Sequence, residues 1–167
     1  AAPSHTGSIY LGGDIRGLSV AGGYAYMITP DSLIFIDVAD PENPFVAHEY
    51  ELAVVWGWSE AEDMVVAGGY AYILTTTNLV RVLDITNPGS PIEGGIADIF
   101  QYSLKITVAG EYAYVVDYWG GLTTVDISDP ANPAVTGYLT PRQDLPDGGS
   151  GLVVAGDLAF FNDPYGM

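Results

Sequence analysis

The segment VWGWSEAED, residues 55–63, sets Trp56 and Trp58 two positions apart, with Glu60, Glu62 and Asp63 directly behind them. In an extended chain that spacing puts both indoles on one side. Aromatic rings beside carboxylates can bind a sugar, a cationic partner or a divalent cation. Two other places combine such groups. Tyr118-Trp119 forms one, echoed by Pro164-Tyr165 near the end, and PRQDLPDGGSG, residues 141–151, brings Arg142, Asp144 and Asp147. Paired carboxylates such as Glu60 and Glu62 are also what a glycosidase needs. The plainer reading of the same residues is that the indoles wedge between packed elements and the acids are solvated.

Other chemistry is excluded by type or spacing. The chain has no cysteine, which removes disulfides, thiolate metal sites and cysteine nucleophiles together. His5 and His48 are not spaced as a metal pair, and no Asp-x-Asp-x-Asp-Gly calcium loop occurs. Asp37, Asp84 and Asp126 recur in equivalent places, but at tight corners, where a carboxylate caps backbone N–H groups. Gly148-Gly149-Ser150-Gly151 has no helix after it to form a phosphate or nucleophile turn. No catalytic residue, metal site or cofactor is expected, calcium being the one ion the acids could take.

The charge balance narrows the partners. Against 21 acids stand 4 bases, Arg16, Arg81, Lys105 and Arg142, for a net charge of −17. Nucleic-acid affinity comes from cations that displace counterions, so this surface repels a phosphate backbone and an anionic membrane alike. No stretch has the run of roughly 18 apolar residues that a membrane helix needs. Neither nucleic-acid binding nor membrane insertion is expected. The opening AAPSHTG lacks the basic and apolar regions of a signal peptide. A mature N-terminus left by cleavage after small residues and an artefact of expression both fit it.

The elements that must position these groups are announced by repetition. VAGGYAYMI, VAGGYAYIL, VAGEYAYVV and VAGDLAFFN begin at Val20, Val66, Val108 and Val154. A second phrase follows three of them in phase: IDVADPENP, LDITNPGSP and VDISDPANP. Each unit reads as four short strands, A to D. Strand A ends at Val-Ala-Gly, and a glycine turn leads into strand B, Tyr-Ala-Tyr, whose two rings share one face. Strand C is LIFID, VRVLD or LTTVD, the Asp-Pro-x-x-Pro corner turns the chain, and strand D follows. Four-stranded units repeating about every 45 residues are the blades of an all-β propeller. A sandwich would not require near-identical phrases in register, and a solenoid has a shorter period.

With these motifs the sequence resembles the LVIVD-repeat family of β-propellers, whose phrase runs V-x-G-x-Y-A-Y-V-A-D and then G-L-x-I-I-D-I-S-D-P-x-x-P. The copy from Val108 to Pro133 fits well, through Tyr112-Ala113-Tyr114, Gly121-Leu122 and Asp126-Ile127-Ser128-Asp129-Pro130. Earlier copies drift, with Pro30-Asp31-Ser32-Leu33 and Thr77-Asn78 in place of the Gly-Leu turn, and Asn87 in place of Asp. The resemblance implies a secreted or surface-attached bacterial or archaeal propeller, often inside a larger protein. The shared motif is structural and carries no catalytic residues.

In such a ring A–B and C–D turns share one face, and B–C and D–A connections the other. The stretch between each corner and the next Val-Ala-Gly varies most in length, so function is expected on the D–A face, where the residues named at the outset fall. Ser8–Leu11, SIYL, reads as a strand D ahead of the first blade, and the last copy stops short of its strand C. The chain is thus expected to hold about three complete blades with partial blades at both ends. The remainder of a larger propeller, or another protein chain, would complete it. The functional expectation is a non-enzymatic extracellular or cell-surface interaction module or scaffold. The alternatives are a carbohydrate- or calcium-binding module and a glycan-active enzyme.

Overall fold

The computed structural model describes residues 5–52, 60–99, 102–140, 151–156 and 158–161. Every regular element among them is a strand. The first blade is β1 (Gly17–Ala21), β2 (Tyr24–Ile28), β3 (Ser32–Asp37) and β4 (Phe45–Glu51). The second is β5 (Ala61–Ala67), β6 (Tyr70–Thr75), β7 (Leu79–Asp84) and β8 (Ile92–Asp98). The third is β9 (Ser103–Ala109), β10 (Tyr112–Asp117), β11 (Leu122–Asp126) and β12 (Ala134–Leu139). A hairpin of β13 (Leu152–Ala155) and β14 (Leu158–Phe161) follows. Within each blade the strands pair antiparallel in chain order, as a propeller requires.

Two turn chemistries set this register. Val-Ala-Gly ends each first strand because the next position takes a left-handed backbone: φ is 58° at Gly22, 60° at Gly68, 61° at Gly110 and 58° at Gly156. At the corners, Asp37, Asp84 and Asp126 accept from the backbone N–H two residues on, in Ala39, Thr86 and Ser128, each at 2.9 Å. Asp40, Asn87 and Asp129 repeat the device three residues later, on Glu42, Gly89 and Ala131. The recurring acids are therefore backbone caps, as their place in the sequence predicts. Each fourth strand then carries a bulge opposite the middle of the third, between partners of Phe35 and Ile36, of Arg81 and Leu83, and of Thr124 and Val125.

Packing between blades supplies the core. Tyr26, Ile28, Leu33 and Phe35 of the first blade meet Ala71, Ile73, Leu83 and Ile85 of the second. Tyr72, Leu74, Val80 and Val82 of the second meet Ala113, Val115, Val125 and Ile127 of the third. The alanine between the two aromatics lies where a neighbouring sheet presses closest. Ala71 and Ala113 are 0% exposed, whereas Ala25, with no blade before it among the described residues, is only half-buried. The Tyr pairs share a face as period two demands, with ring centroids 6.1 Å apart for Tyr24–Tyr26 and 6.4 Å for Tyr70–Tyr72.

One expected element is corrected. Residues 8–11, read as an outer strand, form none, and Tyr10 is almost fully exposed. A strand exists only through its ladder partner, and among the described residues no third strand lies beside SIYL; β3 is already covered by β4. The segment still follows an outer-strand path. Gly7 lies against Pro41 and Glu42 of the first corner, much as Gly95 of β8 lies against Ala131 and Pro133 of the third.

Truncating Leu74, fully buried between the second and third blades, to alanine is expected to lower unfolding free energy by about 2–5 kcal/mol, read by denaturant titration. The corner caps predict a second outcome. Hydrogen bonds from the Thr86 and Ser128 side chains and backbones hold the carboxyls of Asp84 and Asp126 below their usual value of 3.8, and Asn43 does the same first for Asp40. A depressed carboxyl stabilises the fold above its unfolded-state value and loses that contribution as pH falls through the folded value. Stability should therefore drop on going from about pH 5 to about pH 2, and Asp84→Ala with Asp126→Ala should flatten that drop.

Candidate functional site

At the end of the second strand of each blade, or one residue beyond it, a side chain caps the turn to the third. In the first blade Thr29 Oγ1 accepts from Ser32 N–H at 2.9 Å. In the second Thr75 Oγ1 accepts from Leu79 N–H at 3.2 Å. The third blade has Asp117 in that place, buried, its Oδ1 accepting from Trp119 N–H at 2.8 Å and Gly121 N–H at 2.9 Å. Its Oδ2 accepts from the Tyr138 hydroxyl of β12 at 2.9 Å. A carboxylate can accept from three donors where a hydroxyl oxygen accepts from two, which suits this turn, one residue longer than its counterpart in the first blade. Gly121 is required beside it: a Cβ there would run into the Asp117 carboxylate and the Tyr138 ring.

This fixed turn raises two aromatic side chains. Tyr118 and Trp119 meet nearly perpendicular, with centroids 5.9 Å apart and planes at 86°. Tyr118 also meets Tyr102 at 6.0 Å and 78°. The backbone locks the arrangement, since Tyr118 N–H donates to the Tyr102 carbonyl at 2.8 Å. Edge-to-face contacts of this kind are favourable and hold rings rigid. The three are 52%, 42% and 46% exposed at Tyr102, Tyr118 and Trp119, so the ridge faces solvent rather than filling a core. Tyr102 was not singled out from sequence. Because β9 and β10 pair antiparallel, the residue ahead of the first strand lies beside the residue after the second, and that rule would have found it.

The acids on the same face are drawn into ties between blades. Glu62 Oε2 pairs with Arg16 Nη1 at 3.2 Å, and Arg16 Nε also holds Asp14 at 2.9 Å. Asp63, buried, receives Lys105 Nζ at 3.2 Å on one oxygen and Ile106 N–H at 3.0 Å on the other. Burial pushes the Asp63 carboxyl above its ordinary value, with Ile106 N–H and the Lys105 ammonium pulling against it. Glu60 is exposed, and its backbone joins Thr76 of the second blade. Further out, Arg81 pairs with Glu93 at 2.6 Å, and Tyr50 of the first blade donates to the same carboxylate at 3.3 Å.

Of the residues expected at a site, Tyr118 and Trp119 stand together, while Glu62 and Asp63 lie apart from them in ion pairs with Arg16 and Lys105, and Glu60 is exposed. Trp56, Trp58, Arg142 and Asp144 lie outside the described residues, as do Asp147 and Pro164-Tyr165. Among the described residues no group of three or more His, Asp or Glu side chains is placed to hold a metal ion. No helix among them is long and apolar enough to cross a membrane.

The LVIVD repeat is matched three times along the chain, over residues 12–51, 59–98 and 102–140. The chain belongs to the LVIVD-repeat family. Comparison with curated proteins gives no match. Among solved structures, apo AztD from Citrobacter koseri is similar at 16% identity and a TM-score of 0.62, over 90% of this chain and 41% of AztD. The LVIVD chain thus spans about two fifths of AztD's length. The glutaminyl cyclase of Myxococcus xanthus aligns at 18% identity and a TM-score of 0.62, over 91% of this chain and 66% of the cyclase. The computationally designed Ika4 protein aligns at 9% identity and a TM-score of 0.69, over 100% of this chain and 96% of the design. At such identities the likeness is one of fold, and the LVIVD chain is a propeller.

The Asp117–Tyr138 bond gives a measurable signature. Burial, followed by the hydrogen bond to Asp117 and its charge, pushes the Tyr138 phenol from 10.0 up to about 12. A raised value means that this contact stabilises the fold below the ordinary phenol range and is lost as pH rises through the folded value. The ultraviolet phenolate difference between the protein and its Tyr138→Phe variant should have its midpoint near 12. Asp117→Asn should bring that midpoint down by removing the carboxylate charge.

Proposed function

We propose that this LVIVD-repeat chain is a non-enzymatic interaction module working outside the cell or at its surface, and that it engages its partner through the ridge of Tyr102, Tyr118 and Trp119. The observation that carries this reading is the ridge itself: three large rings, about half exposed, held rigid by one another and by a buried carboxylate. Aromatic side chains of this kind give large contact area at little cost in conformational entropy, and so dominate binding surfaces. The binding reading is favoured over turnover by the state of the nearby acids. Glu62 and Asp63 are held in ion pairs between blades, and Asp117 caps a turn with one oxygen and holds the Tyr138 hydroxyl with the other, so none is poised as a free general base. The extracellular setting is supported by the family resemblance, and the strongly acidic composition is compatible with it.

A glycan is the second reading, supported by the exposed indole and phenol faces, against which a sugar ring can stack. One experiment separates the readings. The labelled protein is applied to a glycan array and to cell-envelope fractions, beside Tyr118→Ala and Trp119→Ala. Binding that falls at least about tenfold in both variants while their melting temperatures hold supports the ridge. Retention on the envelope without glycan signal identifies a protein partner. Turnover of any glycan by the wild type that is lost in Glu60→Gln with Glu62→Gln, or binding indifferent to the ridge variants, overturns the proposal.

A further inference from the structure

The turn that raises the aromatic ridge has a counterpart one blade back, on the same face. Tyr118 N–H donates to the Tyr102 carbonyl at 2.8 Å, and Thr76 N–H donates to the Glu60 carbonyl at 2.9 Å. Each bond joins the residue just ahead of a blade's first strand to the turn after its second. Glu60 therefore holds in the second blade the address that Tyr102 holds in the third. The two strand starts are neighbours, since Asp63 of β5 accepts from Ile106 N–H of β9 at 3.0 Å and from Lys105 Nζ at 3.2 Å. An exposed carboxylate and a half-exposed phenol thus occupy equivalent rim positions of adjacent blades.

The bases nearby are already matched. Lys105 is paired with Asp63, and Arg16 is shared by Glu62 and Asp14, which leaves that trio one negative charge in excess. Arg81 is buried against Glu93. Among the described residues none of these bases forms an ion pair with Glu60. The ridge adds π surface to this acidic rim. An edge-to-face contact covers one ring face of the four in a pair, and Tyr118 makes such contacts with Tyr102 at 78° and with Trp119 at 86°. Ring faces carry the negative part of the aromatic quadrupole and attract cations. Open ring faces and an unpaired carboxylate, in a chain of net charge −17, complement positive charge. A neutral sugar stacks on such rings but gains nothing from the charge.

We propose that the ridge and Glu60 together recognise a basic partner. A lysine- or arginine-bearing segment of another protein lays one cationic group on the rings of Tyr118 and Trp119 and sets a second against Glu60. This rests on the ridge being the partner-binding surface, and adds to it the chemistry of the partner.

The test titrates the 167-residue protein with the blocked peptide RGKGR at low salt, followed by calorimetry. An uncharged twin carries citrulline for arginine and acetyl-lysine for lysine. The peptide is expected to bind and the twin to fail. Tyr118→Ala and Trp119→Ala should each weaken binding at least about fivefold. Both keep the net charge, so attraction to acidic composition alone survives in them. Glu60→Gln should weaken binding about threefold. Glu111→Gln removes the same charge from the turn between β9 and β10, on the opposite face, and should leave binding unchanged. Melting temperatures that hold in these variants exclude unfolding as the cause. Absence of binding, binding of the twin, or equal affinity in wild type and ridge variants overturns the basic partner. So does an equal loss in Glu60→Gln and Glu111→Gln. Where the peptide fails yet retention on cell-envelope fractions still falls in Tyr118→Ala and Trp119→Ala, the ridge reading stands and the basic partner is overturned. Where both fail, the ridge reading falls with it.

Discussion

A β-sheet that is apolar on both faces is stable only between two other layers. The three blades are such sheets, and much else in the molecule follows from covering them. Alanine at the second position of each second strand sets the closest approach, and larger side chains on either side fill the remaining width. Where a neighbouring blade is present, as at Ala71 and Ala113, burial is complete. Ahead of the first blade, residues 9–15 run across the face that another blade would cover, beside Met27 and Ile34. Beyond the third blade a hairpin performs the inner half of the same task.

Electrostatics reinforces this division between seam and surface. Each of the three basic side chains in the described residues is held in an ion pair. Arg16 and Lys105 tie first strands of adjacent blades, and Arg81 ties the third strand of the second blade to its fourth. The exposed pairs contribute little individually. Their consequence is distributive: among the described residues the Arg and Lys side chains are held at seams and ladders, and the other charged side chains are acidic.

The repeat made most of the architecture legible. Glycine positions fixed the hairpins, the Asp-x-x-(Asp/Asn)-Pro-x-x-Pro phrase fixed the corners, and Tyr-Ala-Tyr identified the strand pressed by its neighbour. These are local or short-range signals, written three or four times over. The errors and omissions arose where a contact depends on residues distant in sequence. SIYL precedes the first blade as an outer strand would but, among the described residues, has no third strand to pair with, so position in the repeat alone misplaced it. Asp63 looked like a free acid beside Trp58, yet Ile106 and Lys105, more than forty positions away, bury and hold it. Tyr118 and Trp119 were visible as exposed turn residues. Their third member, Tyr102, precedes a first strand and meets them only once that strand pairs.

The turn after the second strand has one further consequence. Thr29, Thr75 and Asp117 occupy one structural address, and the fold accepts either a hydroxyl or a carboxylate there. Downstream of that address lie Pro30-Asp31, Thr76-Thr77 or Tyr118-Trp119, with the strands around them unchanged. A repeat protein of this kind can therefore vary its outward chemistry one cassette at a time, each blade tolerating its own substitution independently of the others. The blades are copies in their interiors and individuals at their rims.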